Sequence, residues 1–352
     1  FQAEDGIRDF CLSRGLGDVY KRQIIAVLFF ARCNNDNTPN VANIKIAIKT
    51  QRFEEDLFKA DTSNLITKLN KLQANYPSFG ENFFAIILNI DPAWSEDTVA
   101  NYLQGFLTAY KPVYDSSKKV FFTFSLYENK IIEGLKYIKH YFPSYKLPTN
   151  LITYIGPLDG YGDILSDDAI IIGLQHHLGK NFSLYKSEMV QQVYPSYITD
   201  RFEPDYITVN AMKNIVLDIF PEKLEDKTLV QQMIEKGKHL YILQKILPKA
   251  NPANLIGYTT QQLKDCNLHE KAIWDLFVQN SFLQTIDNNI IKNYIGESPK
   301  TQELGDASPG NIGSYAGWQI VKKYMSKNSS TTLQQLMQLD NDTLFTETKY
   351  KP

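Results

Sequence analysis

The chain has few of the residues that commonly announce chemistry. Three cysteines occur in 352 residues, Cys11, Cys33 and Cys266. None are in CxxC spacing, which excludes a zinc-ribbon framework. Five histidines, His140, His176, His177, His239 and His269, form no HExxH, and no His/Asp/Cys group has metal-ligand spacing. GxSxG, a P-loop and GxGxxG are absent. Neither charge sign dominates. The net charge is −2, and basic residues cluster no further than pairs such as Lys118-Lys119 and Lys322-Lys323, so nothing points to nucleic acid as a partner. No apolar run reaches the roughly 20 residues of a membrane span. The longest, Ile24 to Ala31, is the size of a signal segment.

What is present is ordinary for a globular domain: 43% hydrophobic and 22% charged residues. The 21 tyrosines and 20 phenylalanines suit a large aromatic core.

The first residues read differently from the rest. "AEDGIRDFCLSRGLGDVYKRQ" has neither a signal core nor a fold pattern, and no methionine precedes the apolar run. Residues 1–22 resemble a translated sequencing-adapter remnant and are expected to be non-native. They carry four basic and four acidic residues, so their removal leaves the net charge at −2. Residues 23–37 then read as a truncated lipoprotein signal and tether. "LFFARCNNDN" places an apolar run before Cys33 and a polar tail after it. Bacterial lipoprotein signals end in such a cysteine, which is acylated and becomes the new N-terminus. Arg32 departs from the small residue expected there. Cys33 is thus the expected lipidation site, anchoring the protein to a bilayer surface; the alternative is an ordinary cleaved signal. Cys266 would be the only other thiol after processing, which leaves no internal disulfide.

Residues 38–352 read as a single α+β domain, with a small sheet in the first half and a mainly helical second half. Ile44, Ile46 and Ile48 alternate as in a strand, and Phe53, Leu57 and Phe58 switch to helical spacing. "TSNLITKLNKLQANYP" reads as a helix capped by Thr62 or Ser63. "VANYLQGFLTAYKPVYDSS" and "YENKIIEGLKYIKHYFPSY" read as helices with a strand, "KKVFFTF", between them. "LITYIGPLDGYGDILSDDAIIIG" reads as strand, Gly-rich turn and buried strand. Helices are expected over "DYITVNAMKNIVLDIFP", "TLVQQMIEKGKHLYILQKILP", "TTQQLKDCNLHEKAIWDLFVQN", "SPGNIGSYAGWQIVKKYM" and "TLQQLMQLDNDTLF". His176 and His177 are adjacent, so their side chains diverge on a helix or a strand. They make poor joint ligands and read as structural or surface residues.

In "SPGNIGSYAGWQIVKKYM", Ser308 can cap and Pro309 suits a first helical position. Gly313 and Gly317 are one turn apart. They allow close approach, either of a packed helix or of a ligand over a cleft floor formed with Tyr315 and Trp318.

Five segments resemble the gliding-motility lipoprotein GldB family: "YPSYITDRFEPDYITVNAMKNIV" (194–216), "EKGKHLYILQKILP" (235–248), "IGYTTQQLKDCNLHEKAIW" (256–274), "SPGNIGSYAGWQIVKKYM" (308–325) and the terminal "KYKP". Asn311 stands where the family is expected to carry a basic residue. The resemblance implies a periplasm-facing, membrane-anchored envelope lipoprotein that serves surface gliding and a dedicated secretion machinery, with other envelope proteins as partners. The family is also distantly similar to HExxH zinc peptidases. On that alignment Asn210 and Asn214 hold the two histidine positions, Ala211 the general-base position, and Glu235 the third-ligand spacing. Zinc chemistry needs two imidazoles at i and i+4 plus a carboxylate and a base. The resemblance therefore implies a degenerate zincin-like scaffold with no catalytic residues and no cofactor. The alternatives are an ordinary packed helix with Ile207, Ala211 and Ile215 on its core face, an envelope hydrolase using Glu235, His239 or Tyr315, and a cleft-type ligand-binding module.

Overall fold

The computed structural model describes residues 38–59 and 65–352. Cys33, the proposed signal, and the candidate caps Thr62 and Ser63 lie outside the described residues.

The sheet comes from four short strands of the first half: β1 (Lys49–Arg52), β2 (Asn150–Tyr154), β3 (Ile164–Leu165) and β4 (Ala169–Gly173). Their order is β1-β2-β4-β3. β1 and β4 flank β2 in parallel, and β3 runs antiparallel to β4. β2 and β4 are apolar at consecutive positions because both faces are covered. Alternation sends Leu151, Ile170 and Ile172 into one core cluster. Ile152, Tyr154 and Ile171 enter a second, aromatic one. There Phe53 is ringed by Tyr76, Phe79 and Phe83, with centroids 5.0, 5.0 and 4.7 Å away.

Helix α1 (Phe53–Phe58) follows β1 directly, and α2 (Leu65–Asn75) ends before Pro77. Two long helices, α3 (Glu96–Val120) and α4 (Ser125–Tyr141), make up much of the crossover from β1 to β2. Two strand expectations change. Ile44, Ile46 and Ile48 pack part-buried against the core. The ladder starts only at Lys49, whose N–H reaches the Thr149 carbonyl at 2.8 Å. "KKVFFTF" is no strand: α3 continues through Val120, and Phe121 N–H closes its last turn on the Ser117 carbonyl. Phe121 and Phe124 are buried while Phe122 is 92% exposed, so this is a tight turn between helices.

The second half is helical: α5 (Tyr206–Ile219), α6 (Leu229–Ile246), α7 (Pro252–Ile256), α8 (Thr260–Leu268), α9 (Glu270–Gln279), α10 (Ile312–Lys327), α11 (Leu333–Gln338) and α12 (Asn341–Thr348). α6 starts with a reciprocal cap between Thr228 and Gln231. The segment read as one helix across Cys266 is two, broken at His269. The terminal helix also divides, where Asp340 caps α12.

α10 starts later than its sequence suggests. Asn311 sits in the left-handed region, φ 56°, so Pro309 cannot be the first helical residue. Ser308 instead holds a loop, donating to the Thr301 carbonyl at 2.7 Å and accepting from Thr301 N–H at 3.2 Å.

α6 and α10 form the central helix pair. An added Cβ at Gly317 would lie 1.7 Å from the Met233 carbonyl oxygen, and one at Gly237 would lie 2.3 Å from Gly317. Glycine is required on both sides of this crossing.

Candidate functional site

Helix α5 buries Ile207, Ala211 and Ile215 in the core. Asn210 and Asn214, four residues apart, share another face. Both reach the residue preceding β3. Asn210 Nδ2 donates to Asp163 Oδ2 at 2.9 Å, and Asn214 Nδ2 donates to the Asp163 carbonyl at 3.1 Å. Asp163 Oδ1 also accepts from Gly173 N–H at 3.1 Å. One aspartate therefore ties α5 to the ends of β3 and β4.

The carboxylate has a third partner, His177, whose Nε2 lies 2.9 Å from Oδ2. His177 Nδ1 faces the Glu203 carbonyl at 3.2 Å. A carbonyl only accepts, so Nδ1 carries a proton, and the carboxylate favours one on Nε2 as well. Burial pushes the His177 pKa down, but the Asp163 charge, the hydrogen bond to it and the Glu203 carbonyl outweigh burial and raise it above 6.5. Its neighbour behaves oppositely. His176 is stacked 4.5 Å from Phe202, and burial pushes its pKa down to about 4. The adjacent histidines take separate partners, as their diverging side chains require.

Glu235 does not meet Asn210 and Asn214 on Asp163. Its Oε2 accepts from Asn341 Nδ2 at 3.1 Å and faces Lys227 Nζ at 3.3 Å. Burial raises its pKa, but Asn341 and Lys227 more than offset this and hold it below the usual range. It lines a cavity of about 470 Å³ with Lys227, Lys238 and Asn341. His239, one turn on, faces two backbone carbonyls, Glu235 at 2.9 Å and Phe220 at 2.7 Å. Ala211 is buried and offers no polar atom.

The cleft floor at Gly313, Tyr315, Gly317 and Trp318 is replaced by packing. The Gly317 face is filled by the α6 backbone at Met233, and Gly313 lies against the Tyr294 carbonyl and Ile295. Tyr315 and Trp318 are fully buried. The Tyr315 hydroxyl donates to Asn267 Oδ1 at 2.9 Å.

A different cavity, of about 420 Å³, opens beside α5, within the range of small-molecule sites. From α5 it is lined by Tyr206, Val209, Asn210, Lys213 and Val216, and from α6 by Lys236, His239, Leu240 and Leu243. Both sets follow helical i, i+3, i+4, i+7 spacing. The opposite wall includes Arg201, Gly257, Glu297, Asn311 and Ser314. Arg201 grips Glu297 with two nitrogens at 3.1 and 2.8 Å. Lys236 pairs with Glu222 at 2.5 Å. Asn311 Oδ1 accepts from Ser314 Oγ at 2.6 Å and Gly296 N–H at 3.3 Å. Asn210 links this cavity to the buried Asp163–His177 pair.

The segments 194–216, 235–248, 256–274 and 308–325 each contribute lining residues to this cavity. The sequence singled out these stretches but not the cavity. One signal was available: within Tyr206–Ile219, Lys213 is the only basic residue, and it stands one turn from Asn210.

The chain is therefore an α+β protein whose most distinctive segments meet around one cavity. The model of the lipoprotein family described as gliding motility protein GldB matches residues 34–352, and the chain belongs to that family. No curated protein and no solved structure matches it. Membership assigns the chain to gliding motility and to an envelope-associated lipoprotein family. Among the described residues, no helix is long and apolar enough to cross a membrane.

Proposed function

We infer that the protein is a lipid-anchored, periplasm-facing component of the cell envelope. It works without catalysis, as a scaffold or assembly factor for gliding and the associated secretion machinery. Residues 38–352 serve as one α+β domain on a tether from acylated Cys33. The family match beginning at residue 34, directly after that cysteine, supports the anchor. Two acyl chains suffice to hold a protein stably at a bilayer surface.

The observation that carries the non-catalytic reading is the engagement of Asn210 and Asn214. Where a zincin-like layout would present two imidazoles, this chain presents two amides, and both donate to Asp163. Amides bind zinc weakly, and the Ala211 side chain cannot move a proton. We read the helix as a degenerate peptidase scaffold turned to structural use.

The competing reading is an envelope hydrolase centred on Glu235, whose carboxylate opens on a cavity beside Lys238; burial lowers the Lys238 pKa to about 8. Glu235→Gln, expressed from the native locus, separates the two. Gliding and secretion are expected to persist with the protein present at normal levels. Their loss at normal abundance would favour the hydrolase. Crosslinking in native membranes is expected to recover envelope proteins with the wild-type chain. Recovery of none would sink the scaffold role. Cys33→Ala should release the protein from the membrane fraction.

A further inference from the structure

The cavity beside α5 contains one cation without a counter-charge from the protein. Of its five charged lining residues, four pair off as Arg201–Glu297 and Lys236–Glu222. Lys213 remains, with no hydrogen-bond or ion-pair partner among the described residues. It is exposed and sits at the middle of the α5 lining face. The side-chain amide of Asn254, on the opposite wall, has no hydrogen-bond partner among the described residues either. Around them lie Val209, Val216, Leu240, Leu243, Leu255 and Ile256.

We propose that this cavity is a binding site for an aliphatic carboxylate, with the carboxylate on Lys213 and the aliphatic body against the α5–α6 wall. The charge balance points to an anion, because the paired residues cancel and one cation is left. The single unpaired cation limits the anion to one charged group. The apolar edges that line the cavity favour an occupant with an aliphatic body over a bare inorganic anion.

Two sources carry this chemistry, a fatty acid and the free C-terminus of an apolar peptide. The site does not depend on the scaffold reading above, and its test involves no gliding assay. Titration calorimetry of the purified protein with octanoate and with N-acetyl-leucyl-leucine, against octylamine and the C-terminally amidated peptide, tests it. At least one carboxylate should bind, and neither control should. Binding of octanoate assigns a fatty acid, and binding of the peptide alone assigns a C-terminus. Lys213→Met should weaken the binding roughly tenfold or more. Lys213→Arg, which keeps the cation, should stay within a few-fold of wild type. The proposal is overturned if neither carboxylate binds, if the amine or amide binds equally well, or if Lys213→Met binds as the wild type does.

Discussion

Asp163 and His177 form a buried hydrogen-bonded pair, with Nε2 2.9 Å from Oδ2 and both side chains nearly inaccessible. The same carboxylate holds Asn210, and the Asp163 carbonyl holds Asn214. Removing the charge leaves a buried imidazole without its counter-ion. Asp163→Asn should therefore lower stability by about 3 kcal/mol or more, measured by urea unfolding. A loss near zero would mean that the pair does not organise this corner.

The adjacent histidines give stability a pH optimum. His177 has its folded pKa raised above 6.5, so its contribution is full below 6.5 and fades as pH rises through the folded value. His176 has its pKa lowered from 6.5 to about 4, so its contribution is full above 6.5 and is lost as pH falls toward 4. That second effect amounts to about 3 kcal/mol. Unfolding free energies from roughly pH 4 to 9 should peak near 6.5 from this pair. His176→Gln should flatten the acid limb, and Asp163→Asn the alkaline limb. Unchanged limbs in both variants would contradict these assignments.

The α6–α10 crossing gives a sharp contrast between two glycines. Gly317→Ala places a methyl 1.7 Å from the Met233 carbonyl, a backbone clash that should cost about 3 kcal/mol. Gly105, exposed in α3, has nothing within 4 Å of a Cβ. Gly105→Ala should instead gain roughly 0.5–1 kcal/mol. Thermal unfolding of the two variants checks both signs.

Cys266 is buried, and burial pushes its thiol pKa up to about 12. Thiolate is the reactive form, so iodoacetamide at mildly alkaline pH should label it only after unfolding. Rapid labelling of the native protein, read by mass spectrometry, would contradict its placement.

The periodic parts of the fold were legible because burial imposes period on sequence. The Ile170–Ile172 run marked a strand covered on both faces, and Ile207, Ala211 and Ile215 marked the core face of α5. Loop geometry was less legible. Pro309 and Ser308 fit a helix start by type, yet the left-handed Asn311 moves that start to Ile312. "KKVFFTF" resembles a strand in composition, but Phe121 and Phe124 serve as plugs in a helical turn while Phe122 is exposed. The glycines of α10 were correctly marked for close approach, while what approaches, the α6 backbone at Met233, depends on a long-range contact. The pairing of Asp163 with His177 went unnoticed for the same reason. Their pairing joins residues fourteen positions apart around a turn whose geometry the residues do not state. Lys213 had a local signal, its isolation in α5, but its lack of a partner exists only in three dimensions.

The proposed function has the α5 amides serving structure where a peptidase would bind zinc. Elemental mass spectrometry of the purified protein, after equilibration with zinc and removal of free metal, tests it. No stoichiometric metal is expected, and unfolding should be unchanged with and without zinc. One tightly held zinc per chain, released by substitution of Asn210, Asn214 or Glu235, would contradict it.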